Sequence, residues 1–436
     1  MTHSAEEDEP SHHEQALAEG EHPSSLGVSM EAYGLLACMW FAYFLNYCDR
    51  QAVFAMFPVL KTDLGMTDRQ LGLTGTIFLW VYALGCPIAG QVGDRFSKRI
   101  LVVFSLAIWS LVTIATGLAQ SATGLLTLRA AMGVSESLFM PTAIALTAGV
   151  FAPALRSRAI AALTTAQVAG TVAGSWFGGW MADHGMWRDA FFVLGGIGLA
   201  YAVPYFLFLR RVTEPVAPTP VGQQSSLAIL TLLRVPTYLL LCVVFPVFVF
   251  GLWLLYGWLP TFLHDKFTLS QSAAAFNATV YLQGSTAIGL LCGGVLADAL
   301  LRVTRASRFW IMIASLVLCA PCLHALGNCE TLPFTRLAAA AFGLCSGLFM
   351  GNIFPATFEV VPLETRASAV GVLNLCGGLV SGCATLFGGM WKSTLGIDRL
   401  LTLTAVGYFV AGLLLVVGVY TLFLRDRLAS EGGTAT

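Results

Sequence analysis

The sequence predicts an all-α membrane protein with twelve transmembrane helices arranged as two six-helix repeats. Of its 436 residues, 57% are hydrophobic and 11% are charged, whereas soluble domains carry about 25% charged residues. Apolar runs of about 20 residues, the length that crosses a bilayer, recur along the chain, and one polar linker divides them six and six. The net charge of −1 offers no electrostatic support for nucleic-acid binding.

The first 31 residues differ from the rest of the chain because they contain Asp and Glu but no Lys or Arg. They lack the basic start and the apolar middle of a signal peptide. We expect residues 1–31 to form a disordered, acidic cytoplasmic tail. The histidines of this tail are expected to be solvated, and the 11 cysteines of the chain lie almost all inside apolar segments, where they are expected to be small buried hydrophobic residues. No metal site is therefore predicted.

The predicted spans fall into an N-terminal half, 32–209, and a C-terminal half, 236–425. A cytoplasmic linker rich in Pro and Arg, 210–235, separates the halves, and 426–436 form a second cytoplasmic tail. In chain order, spans 1 to 12 are placed near 32–57, 70–93, 99–119, 122–150, 157–182, 188–209, 236–263, 271–299, 307–326, 332–358, 366–390 and 399–424.

Three short segments recur in both halves, in the same order and at a nearly constant offset. Residues 90–94 match 294–298, residues 137–140 match 347–350, and residues 177–179 match 387–389. Many secondary transporters are built by internal duplication and bind their substrate near the midplane between the repeats. With the N-terminus inside, the cytoplasmic loops carry about twice as many Lys and Arg residues as the opposite loops, which predicts that both termini are cytoplasmic.

The segment 90–99, Gly-Gln-Val-Gly-Asp-Arg-Phe-Ser-Lys-Arg, resembles the G-x-x-x-D-R-x-x-(K/R)-(K/R) loop motif of the major facilitator superfamily. The resemblance extends over residues 30–425 and implies the major facilitator fold, with transport by alternating access. No nucleophile–base pair, metal-ligand cluster or phosphate-binding loop points to an enzyme. Localisation is expected in the plasma membrane or the bacterial inner membrane, as a multi-pass monomer.

Two charged motifs indicate which branches of this superfamily the chain resembles. Asn46-Tyr47-x-Asp49-Arg50 in span 1, and Arg129-x6-Glu136 followed by Phe139 and Pro141 in span 4, are similar to the anion:cation symporters. That branch carries sugar acids and other organic anions, often with protons. The spinster-like lysolipid transporters have a similar Asp-Arg pair and a similar span 4 Glu. A lysolipid or other amphiphile therefore stays open as the alternative substrate.

Arg50 is the central candidate because a guanidinium inside an apolar span costs a few kcal/mol or more. Its planar fork fits a carboxylate, so we expect it to bind the anion; the alternative is a permanent ion pair with Glu136. The resemblance implies that Glu136 first, and Asp49 second, are the proton-coupling groups. In the alternative, Glu136 forms a permanent ion pair that only holds the helices of the first half together. If substrate and Glu136 compete for Arg50, protonation of Glu136 frees the guanidinium and links the two ligands. The proton is then the coupling ion, and no cofactor is expected.

Further polar residues inside apolar spans are predicted to line the substrate site. The resemblance implies this role for Gln167 and Asn374, and hydroxyl recognition suggests it for several others. For each, an interhelical hydrogen bond is the alternative, and for Arg129 the alternative is extension of the side chain to the membrane interface. The substrate-binding set is Arg50, Tyr47, Arg129, Gln167, Asn374, Tyr82, Tyr256 and Gln283, with Asn352 also compatible.

Charged loops and small residues are predicted to govern movement of the halves. The loop after span 2 is expected to latch the cytoplasmic ends in one state, and its counterpart after span 8 to latch less strongly because Ala299 replaces the Arg. The latch residues are Gly90, Asp94, Arg95, Arg99 and Asp298. Glycines four residues apart in spans 5 and 11 predict close helix packing, either static or at a moving interface; they are Gly170, Gly174, Gly178, Gly378 and Gly382.

Overall fold

The computed structural model describes residues 30–151, 153–211 and 230–427. The predicted acidic tail, most of the linker and most of the C-terminal tail lie outside these residues. Helices dominate the described part of the chain. The "terminal end" of the bundle is the end where span 1 begins and span 12 finishes, and the "distal end" is the opposite one.

The first half contains the six predicted spans, with two of them interrupted. In chain order they are Met30–Ala55 with the short helix Phe57–Asp63, then Asp68–Arg95, Lys98–Gly117, Ala122–Ser137 with Phe139–Val150, Pro153–Asp183 and Trp187–Leu209. Each interruption precedes a proline, Pro58 or Pro141, near the start of the next helix. Proline lacks the N–H that would bond to the carbonyl four residues earlier, so the helix breaks there.

The second half contains six more spans. They are Pro236–Phe267, Gln271–Leu300, Ser307–Asn328, Leu332–Phe358, Arg366–Trp391 and Ile397–Gly418, the last continued by a π-helical turn, Val419–Phe423. Within the described residues, ten helices are long and apolar enough to cross a membrane. Met30–Ala55 and Pro153–Asp183, of 26 and 31 residues, complete the bundle and carry more polar side chains. The predicted twelve-helix fold is confirmed.

Small residues let spans of the same half pack closely. An added Cβ at Gly170, Gly174 or Gly178 of span 5 would meet the backbone of span 1. Since spans 1 and 5 belong to the same half, this glycine face serves static packing. In span 11, by contrast, Gly378 and Gly382 lie against Ala83, Thr76 and Trp80 of span 2. Only that second face lies between the halves.

The two halves meet along a seam in the distal part of the bundle. Thr76 Oγ1 donates to the Gly382 carbonyl at 2.8 Å, and Trp80 Nε1 donates to the Leu379 carbonyl at 2.7 Å. At the distal surface, the Asp183 carboxylate of span 5 accepts hydrogen bonds from the backbone N–H groups of Gln271 and Ser272 at the start of span 8, at 2.7 and 2.9 Å. The distal end is therefore closed in this structure.

Towards the terminal end the corresponding helix faces separate. An added Cβ at Gly90 of span 2, or at Gly371 of span 11, would meet nothing within 4 Å. Ala83 and Gly378 mark the inner limit of the seam, about 22 Å from the distal start of span 2 at 1.5 Å per residue. Spans 2 and 11 are therefore in contact from the distal end to about mid-depth and are separated from there towards the terminal end. This is the geometry of one state of a two-state carrier.

Candidate functional site

The centre of the first half holds an ion pair between spans 1 and 4. Arg50 Nη2 donates to Glu136 Oε2 at 2.6 Å and to Asn46 Oδ1 at 3.3 Å. Only 5% of the Arg50 side chain is exposed, and the Glu136 side chain is fully covered. Glu136 lies one turn before Pro141, next to the break at Leu138 that interrupts span 4. The pairing that the sequence left as one of two alternatives is therefore present in this state.

Aromatic rings surround the Arg50 guanidinium. Its central carbon lies 4.8 Å from the ring centre of Tyr47, 4.7 Å from that of Phe78 and 5.0 Å from that of Tyr82. Such contacts stabilise a cation most where water is excluded. Tyr47 and Tyr82 are only partly buried, whereas Phe78 is fully buried. The two tyrosines consequently form the side of the cage through which a ligand would reach Arg50.

Asp49 points away from this cage, as expected for adjacent helix positions about 100° apart. Thr113 Oγ1 of span 3 donates to Asp49 Oδ2 at 3.3 Å, and Asp49 Oδ1 has no partner within the described chain. Arg129 is 2% exposed, so it does not extend to the membrane interface. Its guanidinium interacts electrostatically with Asp49 and Glu136, but two of its nitrogens, Nε and Nη2, have no described hydrogen-bond partner.

The first half thus buries two carboxylates and two guanidinium groups in one cluster. Asp49 and Glu136 are 2% and 1% exposed, and Arg50 and Arg129 are 5% and 2% exposed. The formal charges cancel, yet only the Arg50–Glu136 pair is in direct contact. A cluster with balanced charge and unused donors can accept an extra anion if it also takes up a proton.

The remaining site candidates occupy two different environments. Gln167 of span 5 is partly buried and accepts a hydrogen bond from Tyr43 at 3.3 Å, and Asn374 of span 11 is exposed. Across the seam, the Tyr256 hydroxyl interacts with the Gln283 carboxamide and electrostatically with Tyr47. Spans 7 and 8 therefore bring two polar groups towards the cage from the second half.

Asn352 has a structural role in this state. Its amide donates to the carbonyls of Gly293 and Leu348 at 3.1 and 2.9 Å, which joins spans 8 and 10 within the second half. The interhelical hydrogen bond, which was the alternative interpretation of this residue, accounts for its amide nitrogen.

The predicted latch residues lie at the terminal ends of spans 2, 3 and 8. Arg95 is exposed, and Arg99 Nη1 lies 3.5 Å from the Leu209 carbonyl. The side chain of Asp94 is outside the described part of the structure. In the second half, Arg308 binds Asp298 at 3.3 Å and Glu359 at 3.0 Å, so Asp298 has an arginine partner although Ala299 follows it in the chain. Burial raises the pKa of the Glu359 carboxyl, although Arg308 and Arg427 oppose this.

Sequence reasoning did not single out Phe78 or Thr113. Phe78 looks like any other apolar residue of span 2, and Thr113 like any β-branched residue of span 3. The one available signal was position, since Phe78 precedes Tyr82 by a single helical turn. Their importance depends on which helices face span 1, and this information comes only from the packed bundle.

The fold and the buried charge cluster define a multi-pass membrane transporter, not an enzyme. The chain belongs to the Major Facilitator Superfamily, whose family model matches residues 39–385. This confirms the family that the 90–99 motif predicted.

Curated relatives cover most of the chain at modest identity. It is 28% identical over 403 residues to the probable sulfoacetate transporter SauU of Cupriavidus necator, over 86% of each chain. It is 24% identical to the hexuronate transporter of Bacillus subtilis, over 72% of this chain and 75% of that one. Human protein spinster homolog 1 is 29% identical over 41% of this chain and 34% of its own. The relatives thus include transporters named for organic anions as well as a spinster protein.

A solved structure has the same fold. A bacterial homologue of the human lysosomal transporter spinster, in an inward-facing and occupied conformation, superposes with a TM-score of 0.78 at 21% identity, covering 92% of this chain and 99% of that one. This likeness confirms the fold.

Proposed function

We propose that this protein is a proton-coupled secondary transporter of small organic anions and that Arg50 binds the anionic group of the passenger. The observation that carries the proposal is the Arg50–Glu136 contact of 2.6 Å in a pocket flanked by partly exposed Tyr47 and Tyr82. Arginine stays charged throughout the physiological pH range and offers a second face of its fork to a carboxylate or sulfonate.

Competition for Arg50 supplies the coupling. In this state Glu136 takes the place of a substrate anion on the guanidinium. When Glu136 gains a proton, its hold on Arg50 weakens, and an incoming anion can take its place without leaving an uncompensated charge in the membrane. Anion and proton therefore favour each other's binding, which is the reciprocity that symport needs. Asp49 is the second candidate for the proton, with Arg129 and Thr113 as its neighbours.

Alternating access follows from the seam. With the distal end closed, the present state admits substrate from the terminal end, which the distribution of Lys and Arg assigns to the cytoplasm. Transport requires the distal contacts of spans 2 with 11 and 5 with 8 to open while the terminal ends close. The names of two relatives suggest sulfoacetate and hexuronates for a first panel. Lysophospholipids represent the alternative class that the charged motifs left open.

A thermal-shift screen of the purified protein tests this proposal, since a ligand that binds the folded state raises its apparent stability. We expect a stabilising shift from at least one organic anion. Arg50→Ala should weaken binding about 10- to 100-fold, the value of a charge-assisted hydrogen bond. Arg50→Lys should weaken it less because the charge is kept. The control is Arg188→Ala, which removes a first-half arginine bound to the carbonyls of Gly117 and Ala119.

Two outcomes would contradict the proposal. If lysophospholipids stabilise the protein and no anion does, the passenger is an amphiphile. If the anion shift survives Arg50→Ala and Arg50→Lys unchanged, the anion binds elsewhere. A comparable loss of the shift in Arg188→Ala would mean that the effect reflects general destabilisation.

A further inference from the structure

Gln51 follows Arg50 directly and has no hydrogen-bond partner in the described structure. Its side chain is 1% exposed, and neither its Oε1 nor its Nε2 is bonded. A buried carboxamide without partners is destabilising because the loss of its hydrogen bonds to water is not compensated. Such a group is disfavoured in a state that keeps it dry, and it gains partners in a state that lets water or ligand reach it.

The position of Gln51 on span 1 places it at the seam between the halves. One turn to either side along the helix, Cys48 packs against Gly174 of span 5 and Phe54 approaches Gly257 of span 7. Because residues three apart lie on neighbouring parts of one helix face, Gln51 points to the gap between spans 5 and 7. Those spans belong to different halves, so this gap is closed only in the present state.

Span 5 contributes two further buried polar groups to the same region. Thr171 and Ser175 are both 0% exposed, and neither hydroxyl oxygen has a described partner. Ser175 lies between Gly174, which packs on span 1, and Gly179, which packs on Gln271 and Ser272 of span 8. Both hydroxyls therefore face the space between spans 1, 5 and 8, which is closed in this structure.

The second half completes the set with Gln283. Its carboxamide interacts with the Tyr256 hydroxyl, but within the described residues its Nε2 has no hydrogen-bond partner, and its side chain is 2% exposed. Gln283 follows Ser272 by eleven positions, about three turns, and so shares the face with which span 8 meets span 5. Unpaired polar groups from three spans thus follow one line, from the level of Tyr256 towards the distal surface.

We infer that Gln51, Thr171 and Ser175 line the distal half of the translocation passage, and that Gln51 is a hydrogen-bonding station for the hydroxyl or carboxylate groups of the passenger. When the distal seam opens, water and then substrate satisfy these groups. The inference rests on the proposed transport function for the identity of the passenger, but the passage itself can be tested without any substrate.

The test is thiol labelling of Ser175→Cys in purified protein with a small hydrophilic maleimide, read by peptide mass spectrometry. The same variant unfolded in denaturant sets the full labelling rate, and the wild-type protein gives the background from the native cysteines. A minor open state is typically about 0.1–10% populated, so the new thiol should react at roughly that fraction of the full rate. The matched control is Ser315→Cys in span 9, where the native serine is also 0% exposed but donates to the Ile311 carbonyl at 2.7 Å. It should stay unlabelled.

Gln51→Leu supplies an independent measurement. It removes no hydrogen bond from the distal-closed state, so it should raise the thermal unfolding midpoint and slow labelling of Ser175→Cys. Asn352→Leu removes a buried amide nitrogen that donates two hydrogen bonds and so should lower the midpoint, although the Asn352 Oδ1 has no described partner. Gln51→Leu should also reduce the transport rate and keep the thermal shift given by the anion.

Three results would overturn the inference: a Ser175→Cys thiol no more reactive than that of Ser315→Cys, a midpoint lowered by Gln51→Leu as much as by Asn352→Leu, or loss of anion binding in Gln51→Leu. The first two concern the passage alone. If the Ser175→Cys and Gln51→Leu results are as expected but no organic anion binds, the proposed function is wrong and the inference about the passage is still supported.

Discussion

At the residue scale, the Arg50–Glu136 pair is a costly feature. Bringing two charges out of water carries a desolvation penalty that their attraction often only balances, and apolar pairs of similar volume are frequently as stable. Stability alone therefore gives little reason for this pair. A pair that breaks and re-forms during a transport cycle is explained by function instead. Because an unpaired charge in the membrane is costly, the pair separates only when Glu136 gains a proton and an anion binds Arg50.

The first prediction at this scale concerns Glu136→Gln. The amide keeps the shape of a protonated glutamate and carries no charge, so Arg50 is released permanently. We expect anion binding and counterflow exchange to persist, and accumulation driven by a proton gradient to disappear. Counterflow is measured in proteoliposomes loaded with unlabelled substrate and accumulation in proteoliposomes without substrate, with labelled substrate added outside in both.

Asp63→Asn is the matched control for this variant, since that carboxylate lies away from the charge cluster and accepts hydrogen bonds from Trp187 Nε1 at 2.8 Å and from the neighbouring Thr62 hydroxyl at 3.2 Å. It should keep full proton-driven uptake. Normal accumulation by Glu136→Gln would transfer the coupling role to another group, with Asp49 the next to be tested.

The sequence predicted part of this site because the strongest signals were chemical. A charged residue inside an apolar span is conspicuous, and the helical period placed Arg129 and Glu136 on one face. The period also predicted that Asp49 and Arg50 diverge. It did not identify Thr113 as the neighbour of Asp49 or Phe78 as part of the cage, because those contacts depend on the rotation of spans 2 and 3 against span 1.

At the scale of the element, hydropathy located the spans to within a few residues, because crossing a bilayer fixes the length of a helix. The interruptions of spans 1 and 4 were not predicted, although Pro58 and Pro141 stand beside them in the sequence. Proline inside a membrane helix is tolerated when neighbours compensate, so its presence does not reveal whether a helix bends or breaks. The glycine faces were predicted as close contacts, but the sequence did not distinguish packing within a half from packing between halves.

Gly174 provides a prediction about that packing. A Cβ at this position would meet the Cys48 backbone, whereas one at Gly284 would meet nothing within 4 Å. Gly174→Ala should therefore lower stability by about 1–3 kcal/mol through overpacking. Gly284→Ala should be neutral or slightly stabilising, because alanine gains up to about 1 kcal/mol over glycine in a helix. Thermal unfolding of the two variants in the same detergent makes the comparison, and equal effects would mean that spans 1 and 5 are packed less closely than described.

At the scale of the whole molecule, the internal repeat predicted two halves, and the described chain contains two six-helix halves that meet along the seam. The predicted substrate site between them stays a prediction. The sequence did not predict which end is closed, because one sequence must support both states with free energies only a few kcal/mol apart. The contacts that decide between the states are few and lie on the seam. Thr76 and Trp80 bond to backbone carbonyls of span 11, and Asp183 bonds to the start of span 8.

Asp183 is the distal contact that a single substitution tests most directly. Its carboxylate faces two backbone N–H groups and the Ser272 hydroxyl at the N-terminus of span 8, where a negative charge is favoured by the helix dipole. Asp183→Asn keeps the shape, removes the charge and turns one acceptor into a donor that faces another donor. The distal-closed state should lose roughly 1 kcal/mol, which is about a fivefold shift towards the open state.

Labelling of Ser175→Cys measures this shift, and it should rise about fivefold in the Asp183→Asn background. Asp63→Asn alters a carboxylate in the same distal region that bonds within the first half, to Trp187, so it should leave labelling unchanged. An equal rise in both variants would point to general loosening of the bundle. No rise with Asp183→Asn would mean that spans 2 and 11 hold the distal end closed without help from spans 5 and 8. In that case Thr76→Val, which removes the bond to the Gly382 carbonyl, should produce the increase instead.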